Sequence, residues 1–264
     1  MDADLLVVRA AMPIGGGSRS LREARGRELT APRRAVAARR LGVAYRWLAD
    51  PRRRPQHGRV TDPHRPAPSR SPDDWNTCYV ERNTPWDTGR PDANLVAAIG
   101  RSGLVEGRVL DIGCGSGCEA VWMATRGFKV TGVDLAEAAI AGARRRAVAA
   151  GIEATFQVGR APDGEHQFEL IYDCGCFHTV NEIGRAAFVE SVARLLVPGG
   201  CWISIAGSSD GPDRDHGPPR MSATEIVTTV EPRFEIQSLD AAEYDAVVPT
   251  PARAWVGTFR RRAS

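Results

Sequence analysis

Lysine is almost missing from this sequence: Lys129 stands alone against thirty-four arginines in 264 residues. Aromatic residues are sparse too, at 6%, so few side chains are available as stacking platforms for the bases of a single-stranded nucleic acid. No apolar run approaches the roughly 18 residues that cross a bilayer, and Leu5-Leu6-Val7-Val8 is too short for the core of a signal peptide. These absences lead us to expect a cytoplasmic protein with no membrane partner. The six cysteines then read as free thiols, buried or catalytic, because the cytosol keeps thiols reduced.

Charge is unevenly spread. The net +3 conceals an N-terminal stretch, residues 1–70, with sixteen arginines against six acids, and a net acidic remainder. Gly15-Gly16-Gly17, Arg33-Arg34, Arg39-Arg40, Arg52-Arg53-Arg54 and a proline-rich run from Pro51 to Pro72 offer little apolar surface to offset the entropy of ordering. Residues 1–72 are therefore expected to be a disordered extension, with one isolated helix over 35–49. Such an arm either contacts nucleic acid or an acidic surface, or is functionally silent. The silent reading is our expectation, and the arm is the only hint of nucleic acid as a partner.

From residue 73 onward strands and helices alternate. Arg108–Ile112, Lys129–Val133, Ala154–Val158, Phe168–Tyr172 and Cys201–Ala206 read as strands. Between them Asn94–Arg101, Cys118–Arg126, Ala136–Ala150 and Arg185–Leu196 read as helices, and Pro198-Gly199-Gly200 as a turn. This alternation predicts βαβ units, hence a parallel sheet covered on both faces. After a helix over Ser222–Val230, the strands Phe234–Leu239 and Ala254–Phe259 have no helix between them and form an antiparallel pair. The expected fold over 73–264 is α/β: a Rossmann-like sheet of seven strands, mostly parallel, with a C-terminal antiparallel hairpin.

Val109-Leu110-Asp111-Ile112-Gly113-Cys114-Gly115-Ser116-Gly117 lies where the first strand passes to the first helix of the sheet. Glycines there let the backbone turn tightly and approach a ligand. Asp134 closes the second strand at about the 20-residue offset at which a carboxylate accepts from ribose hydroxyls. A dinucleotide fingerprint fails, since its third glycine would fall on Cys118 or Ala120. Asp111, two residues ahead of the first glycine, would also repel a pyrophosphate. It suits a ligand with a cationic amino end, such as the methionine part of S-adenosylmethionine (SAM).

The segments "VLDIGCGSG", "VTGVDLA" and "LLVPGG" with the terminal strand pair resemble a class I SAM-dependent methyltransferase over roughly residues 76–262. Pro85-Trp86-Asp87-Thr88-Gly89-Arg90-Pro91, "YDCGCFH" at 172–178 and Gly217-Pro218-Pro219-Arg220 resemble its thiopurine, thiol, halide and tellurite-resistance branch. The resemblance implies SAM as cofactor, with Gly113, Cys114, Gly115 and Gly117 beneath its methionine portion and ribose. It places Asp111 near the amino group, and Asp134 with Leu135 at the ribose hydroxyls. Trp86 would cover the cofactor. Where the branch has an acid after strand three, this chain has Gly159-Arg160-Ala161, and arginine cannot accept a hydrogen bond. Adenine recognition would then fall to backbone around Arg160 and Ala161, or to Asp163.

"YDCGCFH" follows the fourth strand, at the carboxyl edge where open α/β sheets bind ligands. A metal site of Cys174, Cys176 and His178 lacks the second ligand pair of structural zinc. A nucleophilic cysteine gains little, because displacement at a sulfonium methyl is already a single step with a neutral leaving group. The expected role is a pocket: Asp173 and His178 as proton acceptors, and Phe177, Cys176 and Arg220 facing a small-molecule acceptor. The leading expectation is methyl transfer from SAM to a small soft nucleophile: a thiol, thiopurine, halide or metalloid anion. The alternatives are an O- or N-methyltransferase of a small aromatic or quinone-like metabolite, and a non-catalytic SAM-binding protein.

Overall fold

The computed structural model describes residues 70–165, 167–212 and 217–263; the helix expected over 35–49 and the arginine-rich arm up to residue 69 lie outside them. Two helices, α1 (Pro72–Val80) and α2 (Ala93–Ser102), lead into β1 (Arg108–Ile112). Then follow α3 (Cys118–Thr125), β2 (Lys129–Asp134), α4 (Glu137–Ala150), β3 (Thr155–Val158) and β4 (Phe168–Cys174). A short 3-10 turn (Phe177–Thr179), α5 (Glu182–Leu195), β5 (Leu196–Gly207), α6 (Ala223–Val230), β6 (Phe234–Glu243) and β7 (Arg253–Arg261) complete the domain.

The seven strands form one sheet in the order β3-β2-β1-β4-β5-β7-β6. β1 to β5 run parallel, and β7 is inserted between β5 and β6, antiparallel to both. This is the α/β architecture that the alternation of elements predicts. From β1 the chain builds outward to β2 and β3, and then returns to place β4 on the other side. The carboxyl ends of β1 and β4 therefore flank the point where strand order reverses, and a crevice opens there. Asp111 pairs with Tyr172 and Ile112 with Asp173 across this boundary.

Alternation along the strands divides the core between the two faces. Val109, Leu170, Tyr172, Ile203 and Ile205 pack against Leu95, Ile99, Met123 and Ile140 of α2, α3 and α4. Leu110, Ile112, Ile171 and Trp202 pack against Val189, Val192, Ile226 and Val230 of α5 and α6. Trp202 is fully buried, with the rings of Phe177, Phe188, Phe234 and Phe259 centred 5.1 to 6.1 Å away. Truncating so enclosed an aromatic costs about 3–5 kcal/mol.

Three local differences from the sequence reading have physical causes. Helix α1 starts at Pro72, inside the stretch assigned to the extension, because Ser71 and Asp74 form a reciprocal capping box. β4 continues past Tyr172 to Cys174, since Asp173 and Cys174 still pair with Ser204 and Ile205 of β5. β5 takes in the Pro198-Gly199-Gly200 turn, absorbed as a register shift between Phe168 and Leu170.

Candidate active site

The glycine loop is fixed from both ends. The Gly113 and Cys114 N–H groups donate to the Val133 carbonyl of β2 at 2.7 and 3.0 Å, and the Gly117 N–H returns to the Cys114 carbonyl at 2.9 Å. Gly113, Gly115 and Gly117 all have positive φ, at 72°, 54° and 79°, where a side chain is strained. Each also lies close to another element. A Cβ on Gly113 would come within 2.2 Å of Cys176 Sγ, one on Gly115 within 2.7 Å of the Tyr79 hydroxyl, and one on Gly117 within 2.8 Å of Ala143 Cβ. Glycine at these positions thus lets the loop, the cradle of the site, pack directly against Cys176, Tyr79 and Ala143 of α4.

Four carboxylates gather here, Asp111 with Glu119, Asp134 and Asp173 around it. Asp111 is 2% exposed, and its Oδ2 has no hydrogen-bond partner among the described residues. Burial, reinforced by the charges of Glu119, Asp134 and Asp173, pushes its carboxyl well above the usual range. Asp134 accepts the Gly115 N–H at 3.0 Å and the Ala136 N–H at 2.8 Å; burial raises it while these N–H donors pull it back. Glu119, in the first turn of α3, accepts the Asp92 N–H at 3.3 Å and is lifted by burial to about 7. The described ion pairs supply a cation to none of these four.

At the β4 edge the expected pocket residues separate. Asp173 is fully buried: Oδ1 accepts the Phe177 and Cys176 N–H groups at 2.9 and 3.2 Å, and Oδ2 accepts Trp202 Nε1–H at 2.9 Å. The carboxylate thereby caps the turn that carries His178. His178 is 4% exposed, and its Nδ1 accepts the Gly207 N–H at 2.7 Å; the Tyr244 hydroxyl approaches the same nitrogen at 2.9 Å. Phe177 does not face an acceptor pocket as expected. It is 1% exposed and stacks with Phe188 beside Trp202, because the 3-10 turn directs it into the α5 face of the core. Cys174 packs against the α2–α4 face of the core and Cys176 against the α5 face; alternation alone would put residues two apart on one side, and the turn at Gly175, with φ 83°, separates them. Cys176 Sγ donates to the Ile112 carbonyl at 3.2 Å, and all six cysteines are free thiols. Among the described residues, no group of three or more His, Cys, Asp or Glu side chains is arranged to hold a metal ion.

The remaining expected residues lie on the surrounding loops. Leu135 follows Asp134 half-buried, Arg160 is exposed after β3, and Ala161 is half-buried against the α5 face of the core. The Gly159 N–H donates to the Asp134 carbonyl at 2.8 Å, which ties the Gly159-Arg160-Ala161 turn to the end of β2. Arg220 is half-buried on the loop after β5, its NH1 3.5 Å from the Pro212 carbonyl.

A strap of residues 71–92, of which the sequence reading marks Pro85–Pro91 and not the helix before it, crosses the glycine loop through Tyr79 and Asp87. Trp86 Nε1–H donates to the Tyr79 hydroxyl at 3.1 Å, and its ring meets Trp75 and Tyr79 edge-on at 5.8 and 6.2 Å. Asp87 accepts from Ser116 Oγ at 2.5 Å and faces Arg146 at 3.5 Å. Asn76 Oδ1 accepts the Ala138 N–H of α4 at 2.8 Å. At the far end Arg90 grips Asp245 with both terminal nitrogens at 2.5 Å, and the Val247 N–H donates to the Pro85 carbonyl at 2.8 Å. Sequence reasoning missed Tyr79, Asp92, Glu119 and Tyr244. An acid in the first turn of a helix, as at Glu119, is so common near the N-terminal dipole that it carries no signal of its own.

The crevice fits SAM. The buried Asp111 oxygen without a partner among the described residues suits a positive group such as the methionine ammonium. A sheet of this order, with a glycine loop after β1, an acid closing β2 and an antiparallel terminal pair, defines a class I SAM-dependent methyltransferase. The chain belongs to the thiopurine S-methyltransferase (TPMT) family, whose sequence model matches residues 70–262. It is 28% identical to thiocyanate methyltransferase 1 of Arabidopsis thaliana over 193 residues, 67% of this chain and 78% of that protein. It is 30% identical to 2-heptyl-1-hydroxyquinolin-4(1H)-one methyltransferase of Mycobacteroides abscessus over 164 residues, 60% of this chain and 71% of that one. A structure solved for the conversion of a disulfide bond into a thioacetal group during echinomycin biosynthesis superposes with a TM-score of 0.60 at 32% identity, covering 67% of this chain and 84% of that chain. The 1,6-didemethyltoxoflavin-N1-methyltransferase of Burkholderia thailandensis, solved with its substrate and S-adenosylhomocysteine, has the same fold, with a TM-score of 0.61 at 22% identity, covering 77% of this chain and 98% of that chain.

Proposed function

We propose that this methyltransferase moves the SAM methyl group to a small, soft nucleophile that arrives already ionised, with a thiol the favoured acceptor. When bound, SAM supplies an electrophilic methyl on a sulfonium with a neutral leaving group. The chain's part is to hold and align. Asp111 receives the ammonium, the Gly113-to-Gly117 backbone lies along the methionine and ribose, and Asp134 takes the ribose hydroxyls. Tyr79 and Trp86 exclude water from above. Alignment of this kind is worth several kcal/mol, about 7 to 11 at best.

The observation that carries the acceptor reading is the bonding of the two residues expected to be bases. With Nδ1 accepting from Gly207, a neutral His178 carries its proton on Nε2, on the ring edge beside Gly175, where a Cβ would lie 3.6 Å from Nε2. In this tautomer that edge carries a proton and cannot take another. Asp173 is occupied by three N–H donors and serves as a positioning residue for the turn. A soft anion needs neither as a base. Thiocyanate and thiol methyltransferases of Arabidopsis thaliana are among the relatives, which supports the same class of acceptor.

No helix among the described residues is long and apolar enough to cross a membrane, and six free thiols suit a reducing compartment, so we assign the enzyme to the cytoplasm. The test is a transfer assay with labelled SAM over aromatic thiols, thiocyanate, halides, metalloid anions, phenols and a hydroxyquinolone. Transfer should be fastest to acceptors ionised at neutral pH, with sulfur ahead of oxygen. Transfer confined to hydroxyl or ring-nitrogen acceptors would replace the soft-nucleophile reading with the O- or N-methyltransferase one.

A further inference from the structure

Asp111 is accompanied by a second carboxylate that the cofactor assignment above leaves without a role. Glu119 starts α3 just beyond the glycine cradle. The groups facing it come from every element around the crevice mouth: Asp87 of the strap, Asp92 ahead of α2, Asp111 of β1, and Tyr172 and Cys174 of β4. All are acidic or neutral; Arg146 of α4 is paired with Asp87 and bonded to the Ser116 carbonyl, and no described ion pair reaches Glu119, Asp92 or Asp111. Two of them, Asp111 and Tyr172, are 2% and 1% exposed, and Asp111 Oδ2 and the Tyr172 hydroxyl have no hydrogen-bond partner among the described residues. Burying several carboxylates side by side without a cation is costly. The arrangement is reasonable only if a ligand brings the positive charge.

We infer that Glu119 joins Asp111 in holding the ammonium end of SAM, and that binding expels a proton from Glu119. The inference rests on the SAM assignment above and adds to it a residue and a proton. Burial, with the like charges of Asp92 and Asp87 behind it and N–H donors opposing, lifts the Glu119 carboxyl to about 7. Without cofactor, about half the molecules therefore carry a proton there at pH 7. An ammonium beside the group favours its ionised form, lowers its pKa and releases that proton. By linkage, SAM affinity rises with pH up to about 7, falls by as much as about tenfold per unit below about 6, and declines again above about 8 as the cofactor's amine loses its proton. That amine, ordinarily near 7.7–8.0, stays mostly protonated up to about pH 7.

Calorimetry on the full chain with SAM and with S-adenosylhomocysteine, at pH 7 in buffers of different ionisation enthalpy, reads the proton directly. The wild type should release at least about half a proton per cofactor bound, the share of Glu119, with any further release coming from Asp111. Glu119→Gln keeps an oxygen for the Asp92 N–H and so leaves the strap contact intact; at pH 7 it should release about half a proton fewer than the wild type, bind SAM about tenfold more weakly, and show a weaker pH dependence between about 6 and 7.5. A binding enthalpy independent of buffer in the wild type would overturn the inference, and so would a proton release unchanged by Glu119→Gln. A wild type that binds neither ligand at millimolar concentration would remove the cofactor assignment itself, and the inference with it.

Discussion

Three N–H donors meet the Asp173 carboxylate: two from the turn after β4 and one from Trp202 on β5. An amide at this position cannot satisfy all three, because whichever way it is turned its NH2 faces another donor. Asp173→Asn is therefore expected to lower stability by about 2–3 kcal/mol in denaturant unfolding and, by loosening the turn that holds His178, to reduce methyl transfer. If instead activity vanished while the unfolding midpoint stayed put, Asp173 would be a proton acceptor rather than a positioning residue. The same reasoning applies to His178. Its buried Nδ1 is held by the Gly207 N–H, and protonating that nitrogen would set two donors against each other. The residue types were legible in "YDCGCFH", but their roles were not, since a role depends on which atoms of β5 lie opposite. Asp111 was legible because its place two residues before the glycines is a local relation.

The helical first half of the strap, α1, is the element that sequence reading passed over, although its start was written plainly in Ser71-Pro72-Asp73-Asp74. That run holds a cap, a proline at the first helical position and an acid able to reach back. What it lacks is an apolar stripe, because α1 buries none of its residues completely and makes its contacts through Trp75, Tyr79 and Asn76 at its edges. The strands of the sheet were legible for the opposite reason: each buries a face, and burial writes periodicity into sequence. Asp87 is where the strap meets the glycine loop, through Ser116 Oγ and Arg146. The half-exposed ion pair contributes little, about 0–1 kcal/mol, and the hydroxyl–carboxylate bond more. Asp87→Ala is expected to raise the SAM dissociation constant about tenfold, or about 1.4 kcal/mol, while the melting temperature moves little because the core is untouched. The dissociation constant comes from calorimetry and the melting temperature from calorimetric scanning. An unchanged dissociation constant would mean that the strap closes without Asp87.

Over the whole molecule, the crevice is built where the order of strands reverses, and that reversal needs only the chain from α1 to β7. The capping box that starts α1 is complete with Ser71, and the family match begins at residue 70. Both strap anchors lie inside this span, Arg90 with Asp245 and Asp87 with Ser116, as do all four carboxylates of the crevice. Sixteen arginines fall within residues 1–70, so a chain starting at residue 70 loses most of that positive charge and becomes net acidic. Two properties should therefore separate cleanly. Removing residues 1–69 is expected to leave SAM affinity and the rate of methyl transfer within about twofold of the full chain, since neither the cradle nor the strap loses a contact described here. Any salt-sensitive binding to RNA or to another polyanion should disappear with the arm, because counterion release scales with the number of cations engaged. Titration of both chains with a labelled RNA at low and physiological salt, beside the same transfer assay, tests the division. If the shortened chain lost its affinity for SAM, the arm would be part of the catalytic domain and the silent reading of it would fall.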